Sequence, residues 1–255
     1  MMMTSTLSAD DVVYAIDKDV PPRLRILPPA EVTIATLDAR AGRLTRPEDV
    51  EATAPDYRDR YPKANPATGP IFVDGAEPGD VLTAEILRIA LDNRGYTLVK
   101  PDFGVIRGMV ERPVARFADV RDGVIDFAGV RLPLRPMVGV IATAPEGEPV
   151  GTAYVGRHGG NLDCNLIAEG ARVHLPVRVG GALFYIGDVH AVMGDGEVSG
   201  SGFEIAAKVT VRLSLTKGGA TEWPWLETAE VIATLAAAPR FDDAAEAAVR
   251  AMIPI

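Results

Sequence analysis

Apolar and polar residues alternate with period two along several stretches of this chain, the pattern of strands with one buried face. The clearest runs from Phe203 to Leu215. Phe203, Ile205, Val209, Val211, Leu213 and Leu215 share one face, while Glu204, Lys208, Thr210, Arg212 and Ser214 share the other. Val32 to Leu37 is rich in β-branched residues, and Val81 to Leu91 mixes apolar and polar positions at strand length. Glycine (25) and proline (20) are spread through the chain and punctuate many short elements. Together these features predict a mainly β protein, a two-sheet β-sandwich of jelly-roll-like type with a few short helices. One helix is expected near the C-terminus. There Asp242-Asp243 would cap it, Ala245, Ala248, Val249 and Met252 fall on one stripe, and Pro239 and Pro254 bound it. At 255 residues the expectation is a single domain, 1–255, with room for N-terminal (about 1–135) and C-terminal (about 136–255) β subdomains.

Leu44 to Gly69 is the longest stretch without periodicity. Its length predicts a surface excursion or a lid.

Charge narrows the partners. The 35 acidic residues outnumber the 26 basic ones, for a formal charge of -9, and such a surface repels a phosphate backbone, so nucleic acid is not an expected partner. No apolar run reaches the ~20 residues that span a bilayer, so no membrane is expected either. The N-terminal Met1 to Thr6 lacks a basic segment followed by an apolar one, so no secretion signal is read there. The single cysteine, Cys164, excludes an internal disulfide. The expected location is the cytoplasm.

The chemistry concentrates between Arg157 and Glu204. This stretch holds all three histidines, His158, His174 and His190, among acidic residues set between glycines. Histidine beside carboxylate is the side-chain set that binds a divalent metal or moves protons, which points to the active site of a hydrolase. Asp188 and His190 are two residues apart and project from one face if Ala182 to Val192 is a strand. His158 and Asp163 beside Gly159-Gly160 would supply the other half of a metal site. Two imidazoles and one or two carboxylates suit zinc with a place left for water, and tolerate iron or manganese. His174 has no acidic neighbour and reads as structural. Cys164 next to Asp163 could serve as a nucleophile if His158 activated it, although a buried small hydrophobe is the commoner role.

The same residues resemble the acetamidase/formamidase family. The resemblance rests on His158-Gly159-Gly160-Asn161-Leu162-Asp163, Leu175-Pro176-Val177, Gly181-Ala182-Leu183-Phe184, Gly187-Asp188-Val189-His190-Ala191 and Gly194-Asp195-Gly196-Glu197-Val198. Upstream it takes in Thr36 to Ala39, Asn65 to Leu82 and Pro101 to Gly104, and it covers about residues 30 to 230. It implies hydrolysis of short aliphatic amides, formamide or acetamide, to ammonia and carboxylate. It also implies a two-sheet sandwich, a divalent metal and a homo-oligomer, most simply a dimer. On that basis His158, Asp163, Asp188 and His190 are the expected metal ligands, around a metal-activated water. Glu197 is the expected general base and Asn161 the donor to the oxyanion. Asp195 and Glu204 complete the set by orienting the histidines. The chain departs from the family pattern at Met193, where a polar residue is expected, and at Phe203, bulkier than the small residue expected before Glu204. Both leave the substrate open to a larger amide or another C–N bond. The competing readings are a non-catalytic β-sandwich that binds a small ligand or a structural metal, and a Cys164-dependent thiol amidase.

Overall fold

The computed structural model describes residues 5–255. Seven strands form one sheet in the order Ser5–Leu7, Ala30–Thr36, Ala207–Thr216, Val81–Leu91, Arg172–Pro176, Trp225–Glu227 and Ile232–Thr234. Six form the second: Val155–Gly156, Gly159–Asn161, Met137–Ala142, Phe184–His190, Ala67–Val73 and Leu24–Ile26. The outermost pairings Ser5–Leu7 with Ala30–Thr36 and Leu24–Ile26 with Ala67–Val73 are parallel, and the other ladders of these two sheets are antiparallel. A meander of Arg94–Val99, Val114–Arg121, Val124–Phe127 and Val130–Pro133 stands beside them. The chain is mainly β as expected, with two large sheets, two smaller ones and one C-terminal helix among the described residues.

Alternation explains the core. On Ala207–Thr216, Val209, Val211 and Leu213 are fully buried, while Lys208 and Arg212 point outward. They meet Ile34 and Ile86 of their own sheet and Ile71, Val138, Ile141, Phe184 and Ile186 of the other in one apolar layer. Each such aliphatic side chain contributes roughly 1.5–3 kcal/mol when fully buried. In the seven-stranded sheet, strands from the two halves of the chain are interleaved, Ala207–Thr216 lying between Ala30–Thr36 and Val81–Leu91. Strands from 1–135 and 136–255 therefore share this sheet.

Two local expectations need correction. The strand expected from Phe203 begins only at Ala207. Residues 203–205 leave that sheet and bond instead to the 184–190 strand and the 94–99 strand: Ala191 N donates to Phe203 O (2.9 Å) and Glu204 N to Tyr96 O (2.7 Å). The C-terminal helix spans Phe241–Met252, but Arg240 occupies its cap position and makes no side-chain cap; Asp242 and Asp243 sit in the first turn, where they favour the helix dipole. Its inner stripe is Ala244, Ala247, Ala248 and Ala251, not the expected Ala245, Ala248, Val249 and Met252. Alanines let the helix lie close to Ile232–Thr234, where Thr234 Oγ1 donates to Ala248 O at 2.7 Å. Among the described residues no helix is long and apolar enough to cross a membrane.

Candidate active site

The strand Phe184–His190 is buried along its whole length and carries Asp188 and His190 at its C-terminal end. Glu204 arrives from the opposite side, bridging that strand to Tyr96. His190 Nε2 lies 3.3 Å from Glu204 Oε2 and 3.7 Å from Asp188 Oδ2. Asp163 follows the short strand Gly159–Asn161, and Glu197 follows the Gly194-Asp195-Gly196 turn. Two overlapping groups result, Asp163 with Asp188 and His190, and His190 with Glu197 and Glu204. In each group one candidate ligand atom per residue lies within 4.8 Å of the others.

Hydrogen bonds fix the carboxylates. Asn65 Nδ2 donates to Asp188 Oδ2 (2.8 Å) and to Asn161 Oδ1 (3.1 Å), and Asn161 Nδ2 donates to Asp163 Oδ2. Ser201 Oγ donates to Glu204 Oε1 at 3.1 Å. Even so, Asp163 Oδ1, Asp188 Oδ1, Glu204 Oε2 and both ring nitrogens of His190 are buried without any hydrogen-bond partner. Buried polar atoms are nearly always paired, so these five, gathered in one place, form a donor set that could hold a metal ion. Asn65, Asp163, Asp188 and Glu197 also take positive φ (50°, 41°, 53° and 41°). Such conformations cost ~1 kcal/mol or more and gather where geometry serves a site.

Two glycines make the crowding feasible. A Cβ at Gly139 would stand 2.7 Å from Asp163 Oδ1 and 2.8 Å from Asp188 Oδ2. A Cβ at Gly202 would stand 2.6 Å from the His190 ring.

The electrostatics are those of buried charges in mutual contact. Burial, then the neighbouring Asp188, pushes the Asp163 carboxyl well above its usual range. Burial and Glu204 push Asp188 up to about 6. Burial pushes Glu197 up to about 7, against the pull of His190. For His190 burial disfavours the charged ring, yet Glu204 and Asp188 outweigh it and hold the imidazole well above its ordinary value. Glu204 is held low, since His190 and Ser201 overcome its burial. A bound cation would take the place of that proton on His190.

The group opens on a cavity of about 160 Å³ lined by Asn65, Asn161, Asp163, Asp188, Glu197 and Glu204. Tyr57, Ala64 and Asn65 from the unpatterned 44–69 stretch line one side of it.

Not every expected residue is here. His158 joins neither group. It lines a separate surface cavity with Pro145, Val155 and Arg178. It sits in the turn before the Gly159–Asn161 strand, beside Gly156, and Gly159 and Gly160 both take positive φ (99° and 103°). The expected pair of imidazoles is thus reduced to one. Asp195 is exposed at its turn and bonds to Asn165, outside both groups. Glu204, expected behind the histidines, stands in the group itself. Asn161 spends one amide hydrogen on Asp163 and keeps the other. His174 packs elsewhere, stacked on Trp225 (3.7 Å between centroids) with Nδ1 2.9 Å from Thr83 Oγ1. Burial raises the Cys164 thiol, and Asp195 and Asp163 raise it further, the opposite of what a thiol nucleophile needs. Met193 and Phe203 lie by Phe127 and Leu132 in another depression and do not line the central cavity.

Sequence reasoning missed Asn65, Ser201, Gly139 and Gly202, and it missed Arg40 and Lys100, which also line the cavity or pack against its residues. Only Asn65 carried a local signal, a polar residue before Pro66 at the end of the unpatterned loop.

Known proteins resemble this chain in sequence and fold. Residues 10–150 and 147–246 match the model of the Acetamidase/Formamidase family. A putative formamidase of Schizosaccharomyces pombe is 29% identical over 61% of this chain and 52% of its own length. The formamidase of Methylophilus methylotrophus is 26% identical over 80% of this chain and 64% of its own. The chain thus spans between half and two thirds of these curated relatives. Among solved structures, an acetamidase from Bacillus halodurans superposes with a TM-score of 0.91 at 37% identity, covering 97% of this chain and 82% of that one. A predicted acetamidase/formamidase from Thermoanaerobacter tengcongensis gives 0.92 at 40%, covering 99% and 82%. By family match, sequence and fold, this chain belongs to the Acetamidase/Formamidase family.

Proposed function

We propose that this protein hydrolyses the C–N bond of short amides, releasing ammonia and a carboxylate, with a divalent metal held by Asp163, Asp188 and His190 beside Glu204. The observation that carries the metal is the set of buried, partnerless oxygens and nitrogens on those four residues. One imidazole among carboxylates, with no thiolate, fits zinc and iron, and the excess of carboxylate over imidazole fits manganese equally. Bound there, the ion supplies a Lewis acid for the amide carbonyl and lowers the pKa of water toward ~7.

The chain's own groups do the rest. Glu197 faces the cavity with its carboxyl near neutrality. It can take a proton from water and hand it to the departing nitrogen, which leaves as ammonia. Asn161 directs its remaining amide hydrogen at the carbonyl oxygen as negative charge grows there, a donor typically worth about 3 kcal/mol. Asn65 keeps Asp188 and Asn161 in register by donating to both. Ser201 holds Glu204. The names of the relatives support the amide substrate: formamidase and acetamidase are the activities that they carry.

The test is ammonia release from formamide and acetamide by the purified protein and by His190→Gln. Turnover by the parent and loss in the variant are expected. Equal turnover by both would remove this site from the reaction.

A further inference from the structure

One wall of the cavity has the opposite charge to its floor. Arg40 and Lys100 both line it, between Tyr57, Leu98 and Phe103. Arg40 is only 4% exposed and lines the cavity wall. It follows Thr36–Asp38, whose Asp38 is anchored by Tyr96 OH (2.9 Å) and by the Arg40 and Gly42 amides. The backbone at residue 40 is therefore held in place. The side chain, by contrast, makes one hydrogen bond, from Nη1 to Thr53 O at 3.2 Å. Among the described residues neither Arg40 nor Lys100 has a carboxylate within 4.0 Å. Lys100 instead lies 3.9 Å from the Phe103 ring centroid and 5.0 Å from that of Tyr57, and these rings stack at 5.7 Å.

A guanidinium has five N–H donors in a planar fork. Arg40 Nε and Nη2 make no bond within the protein and are not among the fully buried atoms without a partner, so these donors reach the cavity, where a ligand can meet them. The acidic floor can offset the charge from a distance, but it cannot meet those donors. A planar carboxylate can, two bonds at a time.

We propose that the cavity takes an amide whose far end carries a carboxylate, the monoamide of a short dicarboxylic acid. Arg40 and Lys100 grip that carboxylate while the amide lies over Asp188, Glu197 and Glu204. This rests on the amide-hydrolysis reading above and sharpens its substrate. The aromatic pair Tyr57 and Phe103 fixes Lys100 over the opening and supplies an apolar wall for the methylenes between the two ends. Neutral amides such as acetamide would reach the same floor but leave the cationic wall unfilled.

The test compares kcat/KM for succinamate with that for butyramide, a neutral amide of the same chain length, in the parent, Arg40→Lys and Lys100→Met. Succinate binding is measured on the same proteins by calorimetry. The expected result is a preference of tenfold or more for succinamate in the parent. Arg40→Lys keeps the charge and loses the fork, and should cut that ratio ~10-fold to 100-fold, the scale of a charge-assisted hydrogen bond. A residue that merely balances the acidic floor would let lysine keep the ratio, and that result overturns the proposal. Lys100 is partly exposed, so Lys100→Met offers a second reading with little risk to folding; an unchanged ratio there removes Lys100 from the grip. Equal cleavage of both amides by the parent overturns the carboxylate wall and leaves amide hydrolysis standing. If neither amide is cleaved, the hydrolase reading fails by itself. Succinate binding that Arg40→Lys abolishes then still supports the cationic wall, and no succinate binding overturns it.

Discussion

His190 Nε2 meets Glu204 Oε2 at 3.3 Å because residue 204 leaves the seven-stranded sheet and inserts between two strands of its neighbours. Both residues are almost wholly buried, and neither atom has a hydrogen-bond partner. The site is built where sheets join, not on one strand face, and this shapes what substitutions should do.

Glu197 is the group with both access to the cavity and a carboxyl near neutrality. Glu197→Gln should lower kcat for formamide ~100-fold or more, the usual scale of general acid–base catalysis. Metal content should stay at the parent level. Steady-state ammonia release with elemental analysis of the same sample checks this, and undiminished kcat would take Glu197 out of proton transfer.

Asn65 touches no reacting atom in the proposed chemistry, yet it donates to Asp188 and to Asn161 at once. Asn65→Ala should weaken metal affinity or activity ~10-fold to 100-fold, as loss of a ligand's supporting partner does. Excess divalent metal should recover part of the activity. A variant with parental metal affinity and turnover would show that the two bonds are dispensable.

Much of the body could be read from the chain. The strand at Val81–Leu91 and the buried face of Ala207–Thr216 follow from local alternation. Asp188 and His190 stood out because they are two apart on one strand. Periodicity could not say that 203–205 would switch partners, since that depends on Tyr96 and Val189, far away in the chain. Nor could it orient His158: the Gly159-Gly160 pair made the histidine look free to point inward, whereas the folded chain sets it beside Pro145, Val155 and Arg178, residues that periodicity does not bring together. Gly139 and Arg40 were invisible for a related reason. Their importance lies in what approaches them, and those neighbours are distant in sequence.

Gly139 offers a packing test. A methyl there would lie 2.7–2.8 Å from oxygens of Asp163 and Asp188, two of them carboxylate oxygens. Gly139→Ala should cost ~1–3 kcal/mol by overpacking and should displace both carboxylates, so metal retention should fall with it. Thermal unfolding with and without added divalent metal checks this. A variant as stable as the parent and equally well loaded would mean that the strands have room to shift.

His158 should report on acid stability. Burial pushes its imidazole from 6.5 down to about 4. The unfolded chain therefore takes up this proton more readily than the folded one. The stabilisation is fully present above pH ~6.5 and is lost as pH falls toward ~4, and the shift corresponds to about 3 kcal/mol. His158→Gln should flatten the fall of Tm between those limits. Parallel Tm profiles for parent and variant would place the acid sensitivity in other groups.

The most direct measurement is metal content together with ammonia release from formamide, before and after chelation and after adding back zinc, manganese or iron. About one or more bound divalent ions per chain is expected at a site of this kind, with activity lost on removal and restored on return, and with His190→Gln neither loaded nor active. A protein stripped of divalent metal that still released ammonia at the full rate would contradict the central claim.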